Sequence, residues 1–180
     1  MGQEKSLTFR FAGPRDVDDV VGLVQSAYRG DTSRQGWTTE ADLLEGQRTD
    51  AAAVREVIEQ ADSVLLLARR NGTLVGSCQL VCRELGESTY FGMFAVCPGL
   101  QGVGLGRAVL AEAERVARAR WGARAMRMTV IRQREELIDW YRRRGFESTG
   151  ESEPFPYGDE RYGIPLRDDL EFIVLEKRID

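Results

Sequence analysis

The stretch Val96-Cys97-Pro98-Gly99-Leu100-Gln101-Gly102-Val103-Gly104-Leu105-Gly106-Arg107 constrains the fold more than any other part of the chain. It joins a strand-like run, Thr89 to Val96, to a segment from Leu105 to Arg120 in which Leu105, Ala108, Val109, Ala113, Val116 and Ala117 recur at helical spacing. The next strand-like run is Ala125 to Ile131, and the whole unit is most simply a parallel crossover. Gly102, Gly104 and Gly106 have no Cβ, so their backbone N–H groups can approach an anion closely. The helix that follows adds about half a positive charge at its N-terminus. The spacing satisfies neither the dinucleotide fingerprint G-x-G-x-x-G nor the P-loop, and the glycines alone suit a tight turn as well as a phosphate cradle.

The remaining elements follow from periodicity. Leu7 to Phe11 alternates as a strand, and Val17, Val20, Val21, Val24, Ala27 and Tyr28 form one face of a helix. After a polar loop from Arg29 to Gly36, Thr39 and Asp42 resemble a capping box opening a short segment through Leu44. A second helix is expected over Asp50 to Ala61. Asn71-Gly72 is a two-residue hairpin signal between the strands Ser63 to Arg70 and Thr73 to Arg83. Glu135 to Arg144 reads as a helix stopped by Gly145, and strands at Phe146 to Thr149 and Leu170 to Lys177 close the chain. The hairpin and the crossover together require an α/β (α+β) fold with a mixed central β-sheet flanked by helices. With 180 residues and no internal repeat or linker, residues 1–180 are expected to form one domain.

Composition removes several chemistries. The chain has no histidine, so it can build no Ser-His-Asp triad, no Cys-His dyad and no imidazole metal site. Cys78, Cys82 and Cys97 are too few for an all-thiolate zinc site and lack CxxC spacing, so no metal is expected. Free thiols suit a reducing, cytoplasmic setting. No run is long and apolar enough for a signal peptide or a membrane span. The net charge is -4, yet the segment from Arg107 to Arg144 holds eleven arginines against five carboxylates, so the rest of the chain carries -10. That sorting favours a small anionic cofactor over nucleic acid as the basic segment's partner. Arg115, Arg118, Arg120 and Arg124 suit the wet face of a helix, while Arg142 to Arg144 could steer a phosphate.

With its flanks, the glycine turn reads V-x-P followed by [QR]-x-x-G-x-[GA], carried by Val96, Pro98, Gln101, Gly104 and Gly106, with Tyr141 placed shortly before Gly145-Phe146. In this order the motifs resemble the GNAT superfamily of acetyl-CoA-dependent N-acetyltransferases. The resemblance implies that strands four and five splay to admit CoA, with Gly92 marking a bulge in strand four. It also implies that the pantetheine arm lies along Phe94, Ala95 and Val96, and that Gln101, Gly102, Val103, Gly104, Leu105, Gly106 and Arg107 cradle the pyrophosphate.

The activity implied is transfer of an acetyl group from acetyl-CoA to a primary amine of a small molecule or amino-acid-like acceptor, by direct attack in a ternary complex. Tyr141 is the implied acid for the departing thiolate, although its spacing from Leu137 and Ile138 also suits core packing. Cys97 lacks a histidine to activate it and precedes Pro98, so a packed thiol is preferred to an acyl-enzyme. The family's strand-four carboxylate is missing from Tyr90 to Val96, which leaves Glu84, Glu87, Asp31, Glu40, Asp42 or a water chain as the base. The acceptor loops offer Tyr28, Trp37, Thr38 and Asp42 on one side, and Phe155, Tyr157, Asp159, Glu160 and Tyr162 on the other. Aromatic faces beside carboxylates suit a cationic amine. A non-catalytic acyl-CoA-binding regulatory module is the alternative, and relatives of this kind often form homodimers.

Overall fold

The computed structural model describes residues 6–180. Seven strands form its main sheet: β1 (Leu7–Phe11), β2 (Ser63–Arg70), β3 (Thr73–Arg83), β4 (Ser88–Val96), β5 (Ala125–Ile131), β6 (Glu147–Pro154) and β7 (Glu171–Arg178). The spatial order is β1-β2-β3-β4-β5-β7-β6, and every neighbouring pair is antiparallel except β4 with β5. The expected mixed sheet with helices on its faces is therefore the fold. Among the described residues four longer helices accompany it, α1 (Val17–Tyr28), α2 (Ala51–Glu59), α3 (Leu105–Trp121) and α4 (Glu135–Arg142), and one further helical turn, Gly30–Ser33, forms within the stretch expected to be a polar loop. Among the described residues no helix is long and apolar enough to cross a membrane.

β2 explains how the layers are divided. It is apolar at consecutive positions because both of its faces are covered. Leu65 and Leu67 pack with Val20 and Val24 of α1 and Val54 of α2, whereas Val64, Leu66 and Ala68 pack with Val109 and Ala113 of α3. The hairpin between β2 and β3 turns at Asn71 (φ 52°) and Gly72 (φ 78°), the paired left-handed residues that the dipeptide predicts. α2 starts after Asp50, whose carboxylate accepts a hydrogen bond from the Ala53 N–H at 2.8 Å. Residues 39–44 do not form the expected capped segment. Thr39 Oγ1 accepts from the Ala41 N–H in a turn, while Asp42 turns outward to Arg34 at 2.8 Å.

The site is positioned by two irregularities in β4. Its parallel pairing with β5 lasts only from Ser88 to Tyr90, after which the strands part. On its other edge the register with β3 shifts, so that Ser77 faces Ala95 but Gln79 faces Gly92. The extra residue falls at Met93 and Phe94, and Met93 carries the left-handed φ of 45°. The bulge thus begins at Gly92, where it was expected, but the strained residue is its neighbour.

The junction between β1 and α1 is tied by a buried carboxylate. Asp16 accepts from Arg10 on β1 at 2.8 Å, from Arg69 on β2 at 3.1 Å and from the Gly13 N–H at 2.9 Å. The Arg10 guanidinium holds the Asp16 carboxyl well below the usual carboxylate range. A depressed acid contributes stability above its unfolded pKa of about 4 and loses it as pH falls toward the folded value. Asp16→Asn is expected to cost about 2 kcal/mol at neutral pH. In urea unfolding, the gap between native and variant proteins should close as pH drops below about 4.

Candidate functional site

Two clefts meet where β4 and β5 part. The first, about 740 Å³, runs along the glycine turn and is lined by Trp37, Gln101, Gly102 to Gly104, Gly106, Arg107, Trp140, Arg143 and Arg144. The second, about 500 Å³, lies between β4 and β5, and Phe94 and Leu137 line both. Tyr90 closes the apex of the split, its hydroxyl 3.3 Å from Thr129 Oγ1.

The first cleft is built around unsatisfied donors. Among the described residues, the backbone N–H groups of Gly102 through Arg107 have no acceptor, and Ala108 is the first in the helix to donate, to the Gly104 carbonyl at 3.1 Å. Gly102 (φ 85°) and Gly104 (φ 84°) hold left-handed conformations that turn the chain into α3, and nothing crowds the space at Gly102. Gly106 is not held by either constraint: a Cβ there would meet the rings of Phe94 and Trp140 at 3.4 Å, an ordinary contact. Those rings and Trp37 form one aromatic wall, with centroids 6.0 and 6.2 Å apart. Opposite the cradle, the Arg144 guanidinium lies 3.6 Å above the Trp140 ring, and burial together with neighbouring Arg143 and Arg107 lowers its pKa. Three cations crowded beside six free N–H groups could accept an anion chemically. Arg115, Arg118, Arg120 and Arg124 line neither cleft.

Gln101 works differently from its backbone neighbours. Its side-chain oxygen accepts from the Trp37 and Thr38 N–H groups at 2.9 and 3.3 Å, and its amide donates to Thr38 Oγ1 at 2.7 Å and the Val96 carbonyl at 3.1 Å. It fastens the loop after α1 to the end of β4. The Phe94 carbonyl is likewise held, by the Tyr28 hydroxyl.

In the second cleft Tyr141 projects from the apolar face of α4 with Leu137 and Ile138. Its ring packs edge-on against Trp140 and Phe146, at 5.1 and 5.6 Å. The hydroxyl has no hydrogen-bond partner among the described residues, and the ring is buried in the core where it lines the second cleft. Burial, with Tyr28 nearby, pushes its pKa well above the usual phenol value. Burial likewise pushes the Cys78 thiol up, and Cys97 lines neither cleft.

The expected acceptor residues divide. Tyr28 and Tyr162 line the second cleft, but Trp37 belongs to the first. Asp42 and Tyr157 stand outside both: Asp42 pairs with Arg34, and the Tyr157 hydroxyl donates to the Arg167 carbonyl at 3.0 Å. Of the proposed bases, Glu84, Glu87 and Asp31 also lie outside. Glu40 is inside, but it is buried and ion-paired with Arg29, with Arg134 at 2.9 Å and with Arg48 at 3.9 Å. Those guanidiniums outweigh the desolvation of Glu40 and keep its pKa below the ordinary value. Sequence reasoning missed the three arginines, Trp140 and Glu153, the other carboxylate lining this cleft. Trp140 alone had a local signal, as an aromatic beside Tyr141 off the apolar face of α4.

No curated protein matches the sequence. Solved structures match almost its full length at low identity. The ribosomal-protein-S18-alanine N-acetyltransferase of Escherichia coli has 15% identity and a TM-score of 0.71, covering 97% of this chain and 95% of its own. YncA of Salmonella typhimurium, solved with its cofactor acetyl-CoA, has 21% identity and a TM-score of 0.68 over the same shares. A spermidine N-acetyltransferase SpeG chimera from Vibrio cholerae and hSSAT has 15% identity and a TM-score of 0.69, covering 96% of this chain and 95% of its own. These likenesses concern the fold. The model of the acetyltransferase (GNAT) family matches residues 16–146, well over half of the sequence, and the chain belongs to that family.

Proposed function

We propose that the chain is an N-acetyltransferase that moves an acetyl group from acetyl-CoA to a primary amine of a small molecule or amino-acid-like acceptor by direct attack in a ternary complex. The observation that carries this reading is the meeting of the two clefts at Phe94 and Leu137, with the free Tyr141 hydroxyl in the second. One sheet draws its strands from Leu7 to Arg178, so the site is taken to belong to a single domain.

The first cleft fits a pyrophosphate-bearing ligand, since Gly102 to Arg107 supply unpaired donors and Arg107, Arg143 and Arg144 supply charge. Acetyl-CoA brings a thioester whose acyl carbon is open to an amine. Beyond Tyr90 the edge of β4 is free of β5 and can receive an extended pantetheine arm. The Phe94 and Val96 carbonyls already accept from Tyr28 and Gln101, which leaves strand N–H groups, donating to the arm's carbonyls, as its better partners. A backbone N–H near Val96 would face the developing oxyanion. Tyr141 gives its proton to the departing thiolate, and its raised pKa keeps it protonated at neutral pH. Glu40, locked in ion pairs, is a poor base, so the amine proton passes through water toward Glu153, which has no ion-pair partner among the described residues.

The alternative, an acyl-CoA-binding module without turnover, is favoured by one observation: β4 contains no carboxylate. Thiol release measured over a panel of amines separates the two, and CoA binding with no release from any amine would favour the module. Tyr141→Phe should leave CoA affinity intact while lowering kcat about tenfold or more, and unchanged turnover would remove the role. Gly104→Ala places a side chain at a φ of 84° and should weaken CoA binding about tenfold, read by calorimetry. Raising ionic strength should weaken CoA binding further, and an affinity indifferent to salt would count against the three arginines.

A further inference from the structure

The second cleft holds more positive charge than its own carboxylates balance. Arg29, Arg48 and Arg134 surround Glu40, and Glu153 at the exposed side is the only other carboxylate in the lining. Arg134 is committed through both terminal nitrogens, one donating to Glu40 and the other to the Thr38 carbonyl. Arg29 is buried, with a side-chain exposure of 3%, yet its Nε has no hydrogen-bond partner. Burial, with Arg48 and Arg134 nearby, lowers its pKa despite the contact with Glu40. Arg48 is the least committed: its side chain is 33% exposed, its Nε is 3.9 Å from Glu40, and its guanidinium makes no hydrogen bond among the described residues. It sits 5.4 Å from the Tyr28 ring centroid, and Arg134 sits 5.5 Å from the same ring.

We infer that Arg48, backed by Arg29 and Arg134, is an anion-reading subsite, and that the acceptor amine carries an acidic group, as the carboxylate of an amino acid does. The inference rests on the acetyltransferase reading of the cleft. Buried cations persist when they are paired, and one carboxylate shared among three guanidiniums leaves a deficit that a ligand carboxylate fills. A guanidinium fork with free donors suits a carboxylate in two parallel hydrogen bonds. The Tyr28 ring carries the geometry onward, because its hydroxyl holds the Phe94 carbonyl at the β4 bulge. A short acceptor can therefore rest its anion on the arginines while its amine reaches toward that bulge. This reverses the expectation of a cationic acceptor drawn to aromatic and acidic loops: Asp42 and Tyr157 lie outside the cleft, and arginines stand within it. A polyamine would meet uncompensated positive charge there.

The test pairs each free L-amino acid with its carboxamide, with turnover measured by thiol release and binding to the CoA-loaded protein by calorimetry. The expected result is that the best acid exceeds its amide by about tenfold to a hundredfold in kcat/KM and in affinity, the range of one charge-assisted hydrogen bond. Arg48→Gln should collapse that ratio mainly through KM, and Arg48→Lys should retain part of it. Thermal melting confirms that the variants are folded. Preference for the acids in binding without turnover of any amine would fail the transferase reading and keep the subsite. Equal use of acids and amides, better use of polyamines, an unchanged ratio in Arg48→Gln, or no binding of any acid would overturn the inference.

Discussion

A parallel strand pair that forms and then fails is the condition on which this molecule is arranged. Backbone donors and acceptors must find partners wherever water is excluded, so two neighbouring strands can separate inside a sheet only if something else takes their place. β4 meets β5 from Ser88 to Tyr90 and then leaves it. The bulge at Met93 and Phe94 turns it away on the far side, the Tyr28 hydroxyl takes the Phe94 carbonyl, and the Gln101 amide takes the Val96 carbonyl. The wedge that remains is bounded by side chains instead of strands. The aromatic wall, the free Tyr141 hydroxyl and the arginine cluster all border it.

Charge is sorted twice along this wedge. Arg107, Arg143 and Arg144 gather beside the glycine turn, where free backbone donors already favour an anion. Arg29, Arg48 and Arg134 gather in the other cleft around Glu40. The acidic excess of the remaining sequence does not collect in the second cleft, where Glu40 and Glu153 are the lining carboxylates. Some of that sequence's carboxylates, such as Asp159 with Arg161 and Asp169 with Arg167, are spent on exposed local pairs that contribute little to stability.

What could be read from the sequence was local. The strand, glycine turn and helix are legible because tight turns, apolar periodicity and a left-handed hairpin dipeptide each act within a few residues. Tyr141 was visible by its place on α4 and its distance from Gly145-Phe146. The ion cluster was not legible, because Arg29 follows α1, Glu40 and Arg48 lie in a turn-rich loop, and Arg134 caps α4. No spacing rule connects them; only the closed fold does. The outward turn of Asp42 has the same cause: its partner Arg34 is a loop residue whose place depends on how that loop is fastened.

That fastening gives the motif glutamine a meaning beyond its own position. Gln101 stands in the segment that would hold a phosphate, yet its side chain is a peg between that segment and the loop carrying Trp37, Thr38 and Glu40. Thr38 is joined in turn to Arg134. The two clefts consequently share a hinge pin, and the loop that shapes acceptor choice is not a module that can be exchanged alone. A transplanted loop would have to bring its own fit to this glutamine, so the freedom to diversify acceptors is bounded by a residue that lines the other cleft.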